Sequence, residues 1–159
     1  MKNSKKTITL LLLLAIIISV SFILLRPTRI ISVHTDGSSS FIVVANPPIT
    51  DMGKINWWRE NKKLLQEKYG TPVIRENGTS SEIIWDFDTG YQLKKTRDNG
   101  FFPDDDVDYL YCFEDKKSEA NCLDKKNQIM SIIKTRNDVY IINTNNAEYH
   151  EVNGVLTEQ

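Results

Sequence analysis

The stretch Val33-His34-Thr35-Asp36-Gly37 holds one of only two histidines in the chain, the other being His150. In an extended segment, residues i and i+2 project from one face, so His34 and Asp36 are placed to share a hydrogen bond. A histidine oriented by a carboxylate is part of the arrangement that activates a serine or cysteine nucleophile. Ser38, Ser39 and Ser40 follow directly, but after Asp-Gly they read as turn residues. No Gly-x-Ser-x-Gly, His-Glu-x-x-His or glycine-rich phosphate loop occurs. The pair therefore reads first as a structural hydrogen bond, with His34 the one visible enzymatic candidate.

Two other groups of residues carry chemistry. Cys112 and Cys122 are the only cysteines. In an oxidising compartment such a pair forms a disulfide, and closing this loop stabilises a fold by about 2.5–3 kcal/mol. The spacing is not the Cys-x-x-Cys of redox pairs. A zinc site needs about four ligands, and both histidines are distant in sequence. Free thiols are the remaining alternative. The second group is the run Asp-Asn-Gly-Phe-Phe-Pro-Asp-Asp-Asp-Val-Asp. Asp104, Asp105, Asp106 and Asp108 do not follow the alternating order of a calcium loop. A solvated acidic turn is the plainest reading. Phe101 and Phe102 beside these carboxylates form the candidate contact patch for a basic protein partner. No metal and no cofactor is implied.

These residues need an address. Residues 8–25 contain no charge and are almost wholly aliphatic. At 1.5 Å per residue they span roughly 27 Å, close to the hydrocarbon thickness of a bilayer. A cleaved signal has a shorter apolar core and a small-x-small site; neither that site nor a following lipid-accepting cysteine is present. The expectation is an uncleaved anchor. Lys2, Lys5 and Lys6 precede the run, Arg26 and Arg29 follow it, and the bias places the N-terminus in the cytoplasm. In a Gram-negative cell the domain then stands in the periplasm, held at the inner membrane. Beyond residue 29 the chain has 15 basic against 21 acidic residues, a net charge of about −6. That argues against nucleic-acid binding.

The expected organisation is a basic N-terminus at 1–7, the anchor at 8–25, one domain at 30–153 and a tail at 154–159. "RIISVHT" and "FIVVAN" read as a hairpin through Asp36-Gly37. "TDMGKINWWRENKKLLQEKYGTP" reads as a helix, with Thr50 or Asp51 as N-cap. Ile55, Trp58, Leu65 and Tyr69 form its apolar stripe, and Gly70 ends it. Of the adjacent Trp57 and Trp58, one indole is expected on a sheet and the other at its edge.

"SEIIWDFD" alternates, with Ile83, Trp85 and Phe87 on one face and Glu82, Asp86 and Asp88 on the other. "YQLKKTR" is expected to run back along it. "VDYLYCFE" places Val107, Tyr109, Tyr111 and Phe113 together, and "QIMSIIKT" with "VYIINT" is a second hairpin. "AEYHEV" reads as the last, edge strand and "GVLTEQ" as a frayed tail. The fold class is α+β: a transmembrane helix, then a small, mainly antiparallel sheet carrying one amphipathic helix.

The blocks Val33-His34-Thr35-Asp36-Gly37 and Gly53-Lys54-Ile55-Asn56-Trp57-Trp58, with "WDFDTGY" and the "CF-ED…NC" segment, resemble an enterobacterial family of single-span membrane proteins of unknown function. The resemblance covers nearly the whole chain. The family tends to carry an aromatic where this chain has Pro47. It implies an envelope protein with one span and supplies no catalytic residues. By analogy with small membrane-anchored proteins, the expected function is non-enzymatic binding, in its sharpest form an immunity protein that occludes a toxin. The alternative is a structural or assembly component of an envelope or secretion machine.

Overall fold

The computed structural model describes residues 8, 10–17, 26–94 and 109–159. The elements are β1 (Arg29–Thr35), β2 (Ser40–Ala45), α1 (Asp51–Tyr69), β3 (Ser80–Asp86), β4 (Gln92–Leu93), β5 (Leu110–Cys112), β6 (Ala120–Asp124), β7 (Gln128–Lys134), β8 (Tyr140–Thr144), β9 (Glu148–Val152) and β10 (Val155–Glu158). Of the expected span, residues 8 and 10–17 are described and helical. Among the described residues no helix is long and apolar enough to cross a membrane.

β1 and β2 pair antiparallel, and the turn between them is built by Asp36 and Gly37. Gly37 has φ 83°, a conformation that costs an L side chain but not glycine. Asp36 Oδ1 accepts the amides of Ser38 and Ser39 at 3.1 and 2.8 Å. Thr50 then caps α1, its hydroxyl accepting the Gly53 amide at 3.1 Å. At the other end Gly70 turns left-handed, and its amide and that of Thr71 donate to Gln66 and Leu65. Nineteen residues of helix rise about 28 Å, enough to carry the chain back along β2. β3 consequently lies parallel to β2, with Glu82 beside Ser40. Every other strand pair is antiparallel, so the expected sheet type holds apart from this crossover.

The large sheet has the order β1-β2-β3-β7-β8-β9-β10, and a small one the order β4-β6-β5. Two expectations are corrected here. Residues 154–159 are not a frayed tail: Val155–Glu158 pairs with β9 and forms the edge, so β9 is interior. Asn153 and Gly154, both at positive φ, make the two-residue turn that allows it. Of the segment expected to run back along β3, the described residues 91–94 do not pair with it: among them Gln92 and Leu93 are extended, and they pair with β6 in the small sheet.

The large sheet is covered on both faces. α1 packs Ile55, Trp58 and Leu65 against Ile42, Val44, Ile84, Met130, Ile132 and Ile142. Trp58 is the fully buried indole of the pair, and Trp57 lies at the margin of this core. On the opposite face Phe41, Val43 and Trp85 meet Phe113 and Leu123 of the small sheet's hairpin, with Ile83 and Phe87 alongside. Double coverage buries Glu82. The period-two alternation is right, but the second face of β3 lies under α1. Glu82 is 2 % exposed, and its Oε2 accepts the Trp58 indole N–H at 3.0 Å.

Candidate functional site

β5 and β6 form a hairpin in which Cys112 lies directly opposite Cys122. The two are joined as a disulfide. A covalent tie at that point holds the loop beyond it, which carries Phe113, Glu114 and Asp115. The Phe113 carbonyl accepts the Lys116 amide at 3.2 Å and the Asn121 side-chain amide at 3.0 Å. Phe113 is buried against Phe41 and Trp85, so the loop sits on the large sheet beside β1.

His34 meets this loop. Its ring stacks on Phe113 with centroids 4.3 Å apart. Nδ1 lies 2.9 and 3.0 Å from the two oxygens of Asp115. A carboxylate only accepts, so Nδ1 carries a proton, and in the neutral ring Nε2 is the acceptor. Tyr91 Oη lies 2.6 Å from Nε2, Ser32 Oγ lies 3.1 Å from it, and the two hydroxyls are 2.5 Å apart. Ser32 donating to Tyr91, and Tyr91 to His34, gives each of these three side chains a hydrogen-bond partner. His34 is 6 % exposed.

The expected His34–Asp36 pair does not form. Asp36 turns instead to the amides of Ser39 and Ser38. The Ser39 amide above all, with Ser38 and against slight burial, holds its carboxyl below the ordinary value. Asp115 and Tyr91, not singled out from the sequence, are the actual partners of His34. Superficially the group resembles a nucleophilic triad, but Nε2 is engaged by two hydroxyls at once. Neither Ser32 nor Tyr91 lines the adjoining cavity.

That cavity, of about 330 Å³, is lined by His34, Asp36, Phe41, Tyr111, Phe113, Glu114 and Asp115, among others. Three carboxylates therefore surround an aromatic floor. Burial first, and then the charges of Asp36, Asp115 and Glu114, push the Tyr111 phenol above its ordinary value. The negative field at the cavity thus reaches a neighbouring group. The site lies at the far end of β1. Six residue steps separate Thr35 from Arg29, about 20 Å of strand.

The patch expected at Phe101, Phe102, Asp104, Asp105, Asp106 and Asp108 lies outside the described residues. In sequence it leads directly into β5, whose Tyr111 and Cys112 line the cavity. No group of three or more metal-ligating side chains occurs among the described residues.

No curated protein and no solved structure matches the chain. A family model does, over residues 1–158. On that match, which runs from the first residue through β10, the chain belongs to the family described as enterobacterial putative membrane protein (DUF943).

Proposed function

We propose that the chain is a single-span protein of the bacterial inner membrane, N-terminus inside, whose periplasmic domain binds a protein partner without catalysis. The observation that carries this reading is the convergence of Asp36, Glu114 and Asp115 on the aromatic cavity at the end of β1 away from the anchor. Such a surface suits a lysine or arginine on a partner, its stem against Tyr111 and Phe113 and its charge among the carboxylates. The membrane part rests on the apolar run 8–25 and on exposed side chains in its described portion, such as Leu10 and Ile17. In its sharpest form the protein is an immunity protein, and the partner a toxin that acts in the periplasm or at the membrane. Occlusion by a fixed surface needs no reactive group, which agrees with the saturated hydrogen bonding of His34.

The test is capture of partners by the tagged full-length protein from gently solubilised membranes, in parallel with Asp36→Lys and Glu114→Lys variants. One stoichiometric protein bound by the parent, and lost with charge reversal, supports the reading. Capture of the same partner by both variants removes the cavity as its site. Capture of several envelope or secretion proteins that requires the native span sequence favours the assembly-component alternative.

A further inference from the structure

On the opposite face of the large sheet, α1 and strands β3, β7 and β8 enclose a second cavity of about 290 Å³. Trp58, Pro72, Ile74 and Tyr140 supply its walls, and Glu82 its inner end. Glu82 Oε2 is occupied by Trp58, but Oε1 is buried and has no hydrogen-bond partner among the described residues. A buried carboxyl oxygen left unpaired is expensive and calls for a partner. Lys62, Lys63 and Lys134 also line the cavity. The Lys62 ammonium lies 3.9 Å from the Trp58 ring centroid and 4.2 Å from that of Tyr140. Its ion pair with Glu151 is loose, at 3.8 Å. Ile74 is 60 % exposed at this cavity.

We propose that this cavity binds a small organic carboxylate with an apolar body. The body lies against Tyr140, Ile74 and Pro72, the charge faces Lys62 and Lys63, and one ligand oxygen accepts a hydrogen bond from protonated Glu82 Oε1. Lysines at the cavity disfavour an ammonium ligand. Apolar walls and a single inner polar atom disfavour a phosphate, which needs donors on several sides. The site is independent of the acidic cavity on the other face, so either reading can fail without the other.

Lys62 of α1 and Tyr140 of β8 interact electrostatically with Glu82, and Glu151 of β9 acts through Lys62; Lys63 of α1 and Lys134 of β7 line the same cavity, Lys134 being paired with Asp138 at 2.6 Å. Burial raises the Glu82 carboxyl to about 7, offset in part by the Trp58 hydrogen bond and by Lys62. A bound carboxylate favours the protonated acid, so binding takes up a proton. The probe is benzoate, titrated into the full-length protein in lipid nanodiscs and followed by the Trp58 indole N–H resonance. Saturable binding is expected, tightening up to about tenfold between about pH 8 and pH 6. Glu82→Gln keeps an acceptor for Trp58 and should lose that pH dependence. Lys62→Met, on the helix surface, should weaken binding several-fold with the fold intact. Absence of saturation at about 10 mM benzoate overturns the proposal. So does tighter binding of benzylamine with the opposite pH slope, or affinity unchanged in Lys62→Met.

Discussion

His34 Nδ1 and Asp115 Oδ1 lie 2.9 Å apart across 81 residues of chain, and this contact fastens the loop of the small sheet to β1. Asp115 is the exposed member and His34 the buried one. Asp115→Ala therefore leaves a buried N–H without its acceptor, at a cost of about 1–3 kcal/mol. Urea unfolding should show a lower midpoint with an unchanged slope. Asp115→Asn, which keeps a side-chain oxygen as acceptor, should recover part of the loss. Equal midpoints for all three proteins would mean that the contact contributes nothing to stability.

The Cys112–Cys122 bond closes a loop ten residues long. Replacing both cysteines by serine should cost about 2.5–3 kcal/mol, read from the same unfolding curves. A second effect follows from position. The bond sits directly before Phe113, Glu114 and Asp115, so the double variant should also lose hydrogen-exchange protection at Phe113, whose amide donates to Asn121. Protection retained at Phe113 would assign the bond to global stability alone.

The elements with local signals were legible. Thr50, Gly70 and the Ile55–Trp58–Leu65 stripe define α1 within the sequence itself, and Asp36-Gly37 defines the first turn. Asn153-Gly154 is an equally strong hairpin signal, yet the short, polar-ended "VLTE" after it hid the last strand. What no local pattern carries is which surfaces cover a strand. Glu82 alternates correctly with Ile83, but only the placement of α1 shows that its side is buried. The same limit hid Asp115 and Tyr91. They reach His34 through the pairing of the small sheet and its packing on the large one, and nothing around either residue announces a partner 81 or 57 positions away.

Gly70 ends α1 at φ 67°, and a Cβ added there meets nothing within 4 Å. Sterics with neighbours are therefore absent, and only the backbone conformation resists a side chain. Gly70→Ala should cost about 1 kcal/mol. Gly70→Asn should cost less, since asparagine tolerates the left-handed region better. Thermal unfolding of the two variants distinguishes this account from one based on packing, in which the larger asparagine would be the worse.

Glu82 gives the fold a pH dependence whose sign can be worked out. Its carboxyl titrates at about 7 in the folded protein, against an ordinary value of 4.5. Between these limits the folded state holds a proton that the unfolded chain has released, so stability falls as pH rises through that window. The contribution is present in full below 4.5 and is lost once pH passes about 7. The raised value corresponds to about 3 kcal/mol, and the side chain is buried deeply enough for solvent screening to be small. Glu82→Gln removes the titration while keeping an acceptor for the Trp58 indole. The variant and the parent should unfold at similar urea midpoints near pH 4.5. At pH 8 the variant should be the more stable, by up to about 3 kcal/mol. Parallel stability profiles across this range would show that Glu82 titrates normally, and that Lys62 or water compensates its burial.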